Sequence, residues 1–177
     1  LKLAKDKSSD VREAVVDNPN TPIEALKKLA KDDDEFVRGY LASRQDLSPE
    51  IMKILAKDKD SWVKERLAEN STVSKEALEI LSKDSDSSVR AKAVRNEKLD
   101  SEAVEDFENP DSVKLAIAGN RSTPQEILES FATNSEPIYF EGKVTSLMMA
   151  VASNPSIPES VIEKLVKSKN KEVIKEL

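Results

Sequence analysis

The sequence predicts an all-α chain of stacked two-helix repeats, each of about 26 residues. Three observations predict it. First, a Val–cation pair recurs at Val11-Arg12, Val37-Arg38, Val63-Lys64, Val89-Arg90 and Val113-Lys114. Leu147-Met148 and Val173-Ile174 continue the apolar anchor without the cation, and successive anchors lie about 26, 26, 26, 24, 34 and 26 residues apart. Second, Asn18, Asn70, Asn96, Asn120 and Asn154 stand seven residues past their anchors, with Arg44 the exception. Third, there are only 3 glycines in 177 residues and few alternating β-branched runs, which favours helix over sheet.

The elements follow in chain order. Leu3-Ala4-Lys5-Asp6 returns as Leu29-Ala30-Lys31-Asp32 and Leu55-Ala56-Lys57-Asp58, with Leu81-Ser82-Lys83-Asp84 a fourth copy. The opening residues therefore read as the tail of a repeat, and Leu177 falls inside the first helix of another. A fragment of a longer array would show this pattern, with Leu3, Val173 and Leu177 exposed at frayed ends. In each unit the first helix starts at the anchor, as in Val11 to Val16, with Val11, Ala14 and Val15 on one face. It stops at the Asn, which tolerates turn backbone and bonds nearby peptide groups. The second helix starts at a cap. Thr21-Pro22-Ile23-Glu24 and Thr123-Pro124-Gln125-Glu126 read as capping boxes with Pro at the first helical position. Ser48-Pro49 is a related start, and Ser74 and Asp100 cap without the proline. A lone hairpin cannot bury both its apolar stripes, whereas stacked neighbours make a continuous core.

Composition excludes several chemistries. Without cysteine there is no disulfide, thiolate zinc site, iron–sulfur ligation or cysteine nucleophile. Without histidine there is no imidazole base or ligand, so a metal would need an all-oxygen cage. Lys and Arg total 28 against 34 Asp and Glu, and the net charge of −6 weighs against nucleic acid as the default partner. No apolar window is long enough to span a membrane, and the start lacks the features of a signal peptide. A cytoplasmic location, no cofactor, no metal and no catalytic residue are the resulting expectations.

The stretch Val11-Arg12-Glu13-Ala14-Val15-Val16-Asp17-Asn18-Pro19-Asn20-Thr21-Pro22 resembles the leucine-rich repeat variant signature, which is similar to HEAT repeats. Asn154-Pro155-Ser156-Ile157-Pro158 repeats its turn. The resemblance implies a right-handed α-solenoid, a HEAT-like superhelix, although the units here are slightly long for the family. Some members carry an iron–sulfur cluster, a feature that a cysteine-free chain does not inherit. The resemblance bears on fold more than on function.

Several columns invite a functional reading. The cations Arg12, Arg38, Lys64, Arg90 and Lys114 read as a phosphate stripe or, better, as an Asp–Arg ladder. Asp6, Asp32, Asp58 and Asp84 lie five residues before the first four anchors, and the guanidinium fork suits carboxylate. Lys5, Lys31, Lys57 and Lys83 suit the negative ends of second helices. The Asn column serves its own turns. Ser61-Trp62-Val63-Lys64 matches S-x-x-K without its companion motifs. Asn70-Ser71-Thr72 and Asn120-Arg121-Ser122 match the glycosylation triplet with no secretion signal to support it. The acidic run Asp32-Asp33-Asp34-Glu35 reads as a solvated turn with favourable charge at the next helix start.

The strongest candidate site is an aromatic–basic patch. The residues just before the anchors are polar except Phe36 and Trp62, and four residues on stand Tyr40, Arg66 and Lys92. Phe36, Tyr40, Trp62, Arg66 and Lys92 would form one partner-binding surface, of residue types enriched in binding hot spots, or the rings would fill a gap against the neighbouring hairpin. About eight extra residues, near 135–143, interrupt the period. They bring Tyr139 and Phe140, which either add to a binding face or plug the groove between units. The leading expectation is a non-catalytic scaffold for a protein or peptide. The alternative is nucleic-acid binding of the HEAT-like DNA glycosylase type, and HEAT-like repeats also occur in tetrapyrrole-lyase assemblies.

Overall fold

The structure, a computed structural model, describes residues 2–99, 111–140 and 143–177. The candidate cap Asp100 lies outside the described residues, as does the side chain of Phe140. Two compact units divide the chain, Leu1–Lys98 and Leu99–Leu177.

In the first unit a 3-10 turn, Leu3–Lys5, precedes α1 (Ser9–Asp17), α2 (Ile23–Leu29), α3 (Glu35–Ala42), α4 (Pro49–Leu55), α5 (Ser61–Ala68), α6 (Lys75–Leu81) and α7 (Ser87–Arg95). The odd-numbered helices form one row, α1 on α3, α3 on α5 and α5 on α7, while α4 packs on α6. Between the rows lie the buried anchors Val37, Val63 and Val89 with Leu41, Leu67, Ile51, Leu55, Leu78 and Leu81. Each helix of seven to nine residues is too short to hold in water alone, so packing of these apolar faces supplies the stability.

The first helices begin two residues before the anchor, and in α3, α5 and α7 an upstream side chain caps the start. Asp34, Asp60 and Asp86 accept from the backbone N–H groups of Phe36, Trp62 and Ser88 at 2.8, 2.9 and 2.8 Å. The acidic run 32–35 is therefore only partly solvated. Asp34 is a cap and the side chain of Asp32 is nearly buried against Arg12. The second helices split by sequence. Ser48 and Ser74 cap Ile51 and Ala77 as expected. The two Thr-Pro capping boxes do not form. The Thr21 hydroxyl donates to the Val15 carbonyl at 2.6 Å and the Thr123 hydroxyl to the Ile117 carbonyl at 2.5 Å, so both tie the turn back to the preceding helix. The prolines themselves, Pro22 and Pro124, occupy the cap position.

The second unit holds α8 (Asp111–Gly119), α9 (Gln125–Phe131), β1 (Ile138–Phe140), β2 (Lys143–Thr145), α10 (Leu147–Ala152), α11 (Glu159–Lys167) and α12 (Lys171–Glu176). Here α8 packs on α10, α10 on α12 and α9 on α11. The insertion is an antiparallel ribbon, not a loop, pairing Ile138 with Thr145, Tyr139 with Val144 and Phe140 with Lys143. Aromatic and β-branched pairs suit such a ribbon. Ile138 is buried and β1 packs on α8, so part of the insertion does plug a groove. Leu3 and Leu177 are exposed, but Val173 is fully buried. Asn170 caps α12 through the Glu172 and Val173 N–H groups, and the helix lays Val173 against α10 and α11.

Candidate functional site

Three sets of interactions tie the odd-numbered helices of the first unit into a stiff row. The first is the ladder. Arg12 grips Asp32, 20 residues on, with two hydrogen bonds of 2.8 Å, and Arg38 grips Asp58 at 2.7 and 3.1 Å. Each guanidinium also donates to its own turn, Arg12 to the Asp6 and Lys7 carbonyls and Arg38 to those of Asp32 and Asp33. The hydrogen bond to Asp58 holds the Arg38 guanidinium above its ordinary pKa, against the opposing pull of burial. Lys64 makes the third rung with one bond of 2.7 Å to Asp84, since an ammonium has no planar fork.

The second set is the Asn column, which reaches further than its own turn. Asn70 donates to the Ala42 and Arg44 carbonyls of the preceding hairpin at 2.8 and 2.7 Å, while its carbonyl accepts from the Thr72 N–H. Asn96 donates likewise to Ala68 at 2.9 Å. Arg44 performs the same task, donating to the Val16 carbonyl and, at 3.0 Å, to the Asn18 carbonyl, with Asp46 orienting the fork. The third set is electrostatic. Lys92 on α7 bridges Glu65 on α5 and Glu69 at its C-terminal cap at 2.9 and 2.6 Å. Burial lowers the Lys92 pKa, and the bonds from Glu69 and Glu65 together reverse that to a net rise.

On this row stand the rings. Phe36 and Tyr40 share a face of α3, and Trp62 on α5 meets both edge-on, with centroids 5.6 and 6.4 Å apart. The Arg66 guanidinium lies 6.0 Å from the Trp62 ring, at the outer reach of a cation–π contact. Phe36, Tyr40 and Trp62 keep 52%, 44% and 37% of their surface exposed. The rings thus touch one another across the repeat and still face solvent.

Gly39 is the floor beneath Trp62, and sequence reasoning passed over it. A Cβ at Gly39 would sit 1.9 Å from the indole, so only glycine lets the ring lie on α3. Glycine inside a helix costs up to about 1 kcal/mol relative to alanine. A mid-helix glycine in a chain with only 3 of them is the signal that would have found it.

The structure therefore brings together Phe36, Tyr40, Trp62 and Arg66. Lys92 is engaged by the two glutamates instead of joining the rings. Tyr139, in the second unit, is 81% exposed beside its cross-strand partner Val144. The two members of the S-x-x-K match point to different acids. Ser61 bonds Asp86, which lowers the Asp86 pKa, and Lys64 bonds Asp84.

Among the described residues no three His, Cys, Asp or Glu side chains are gathered as a metal site, and no helix is long and apolar enough to cross a membrane. Residues 10–34, which run from the start of α1 to the cap of α3, match the family model described as leucine rich repeat variant. No curated protein matches the chain.

Proposed function

We propose that this chain is a non-catalytic interaction scaffold whose Phe36–Tyr40–Trp62–Arg66 surface docks a protein or peptide. The observation that carries the reading is the half-exposed trio of mutually braced rings on the α3–α5 face. Binding to such a surface costs little ordering entropy, because edge-to-face packing and the Gly39 floor already hold the rings. Trp, Tyr and Arg are the residue types that most often dominate interface energetics. On this reading the repeats wind as a right-handed α-solenoid and the protein works in the cytoplasm, as the family likeness and the cysteine-free composition suggest.

The test is a tagged pull-down from source lysate, with and without nuclease, comparing wild type with the Trp62→Ala/Tyr40→Ala double variant. Both residues are surface-facing, so helicity should be retained. A protein captured by wild type and lost by the variant supports the reading. Equal capture by both overturns it. Nuclease-sensitive recovery of DNA or RNA replaces it with a nucleic-acid-binding function.

A further inference from the structure

The partner's chemistry can be read from what flanks the rings, if the docking reading above holds. On the α5–α7 side the carboxylates are occupied, because Glu65 and Glu69 both hold Lys92. On the α1 side they are not. Asp10, Glu13 and Asp17 lie on α1 at the positions that Phe36 and Gly39 hold on α3 and Ser43 at its C-terminal cap. None of the three makes an ion pair or side-chain hydrogen bond among the described residues. The nearest cation in sequence, Arg12, has its fork closed on Asp32. Burial first, then the charges of Asp10, Asp34 and Asp17, raises the Glu13 pKa, which agrees with crowding of like charge. Asp34 is itself engaged as the cap of α3.

We infer that the ring surface takes a cationic peptide, whose Lys or Arg side chains lie over Asp10, Glu13 and Asp17 while an adjacent apolar side chain rests on Phe36, Tyr40 and Trp62. Charge complementarity selects this occupant. An anionic partner would meet three unbalanced carboxylates beside the rings, whereas a cation relieves their mutual repulsion and also finds aromatic faces. The polar end of such a ligand and its apolar neighbour would be read by different helices, α1 and the α3–α5 pair, which fixes its direction across the row.

The probes are three decapeptides, alternating Arg–Leu, Ser–Leu and Glu–Leu, titrated into the full chain with Trp62 emission and calorimetry as readouts. The Arg–Leu peptide should bind at least about tenfold tighter than the other two, and its affinity should fall with added salt. The Asp10→Asn/Glu13→Gln/Asp17→Asn variant should lose roughly tenfold in Arg–Leu affinity, the sum of a few exposed charge contacts. It should fold at least as well as wild type, since it removes a repulsion. As a control for bulk charge, Glu159→Gln/Glu163→Gln/Glu172→Gln in the second unit should leave Arg–Leu affinity unchanged. Equal or tighter binding of the Ser–Leu or Glu–Leu peptide overturns the cation preference, as does an equal loss in the control variant or no Arg–Leu binding. A single-stranded oligonucleotide that competes at the rings also overturns it. The docking reading fails separately, through a lysate partner that persists with the Trp62/Tyr40 double variant.

Discussion

The two units use the same hairpin but not the same cross-links, and the difference separates what the repeat requires from what it adds. In the second unit the Asn link persists. Asn154 donates to the Ala118 and Asn120 carbonyls at 2.7 and 2.8 Å, as Asn70 does to its own predecessors. Among the described residues the charged ladder does not persist. Where Asp32, Asp58 and Asp84 shape the turn by accepting the N–H two residues on, the second unit places Asn134 and then Ser168, which accept from Glu136 and Asn170 in the same way. The cation fades as well, from Arg to Lys114 and then to Met148. The acid goes first, since Lys114 keeps its cation where Asn134 has replaced the carboxylate, and only at Met148 and Ser168 are both charges gone. The turn needs an oxygen at that point.

The largest effect expected from breaking this contrast is at Arg38. It is 3% exposed, so Arg38→Met leaves Asp58 buried without its partner and should cost the first unit about 3–5 kcal/mol in denaturant unfolding. Adding Asp58→Asn, which keeps the oxygen that accepts from the Asp60 N–H, should recover much of that loss, and a double variant as unstable as the single one would refute the ladder as a charge pair. Next comes the amide column. Asn70→Ala and Asn154→Ala each strand two carbonyls and should cost about 2–3 kcal/mol, equally in the two units. Unequal losses measured by hydrogen exchange would show that the link is not the shared element. Smaller still is Lys64→Arg, expected to gain up to about 1 kcal/mol by restoring the fork and its bonds to the turn carbonyls. A thermal midpoint that drops would contradict this.

The smallest effect concerns Glu129 in the second unit, which Lys164 pairs at 2.5 Å. That hydrogen bond, then those from Gln125 and Ser160, lowers its pKa from 4.5 to about 2. A folded value below the unfolded one gives stability that is complete above about pH 4.5 and lost as pH falls toward 2. Glu129→Gln should therefore be slightly less stable than wild type at neutral pH and equal to it near pH 2. A gap that stays constant across that range would show that the carboxylate's charge is not what matters.

Much of the fold was legible because each hairpin repeats the same solution. The anchors, the Asp–Arg rungs and the Asn turns all occupy fixed phases. What escaped the sequence escaped for physical reasons. Arg44 does not resemble an amide, yet its fork reaches the same two carbonyls. Thr21 and Thr123 have the spacing of a capping box, but a hydroxyl can turn either way and here donates backward. The three-residue strands of the insertion are too short to show alternation. At the candidate site the rings and Arg66 were legible as a face of one helix row. The pairing of Lys92 with Glu65 and Glu69 was not, because it depends on columns at other phases of the helix.

Trp62 is the only tryptophan in the chain, and its indole is seated at Gly39 of α3, the preceding helix of its row. Its emission is therefore a spectroscopic ruler for the gap between α3 and α5 and lies within the first unit. Far-ultraviolet dichroism averages over every helix, whereas this fluorophore reports one stacking step. Any difference between the two melting curves would show, without a label, whether this one step opens before or after the bulk of the helices melt.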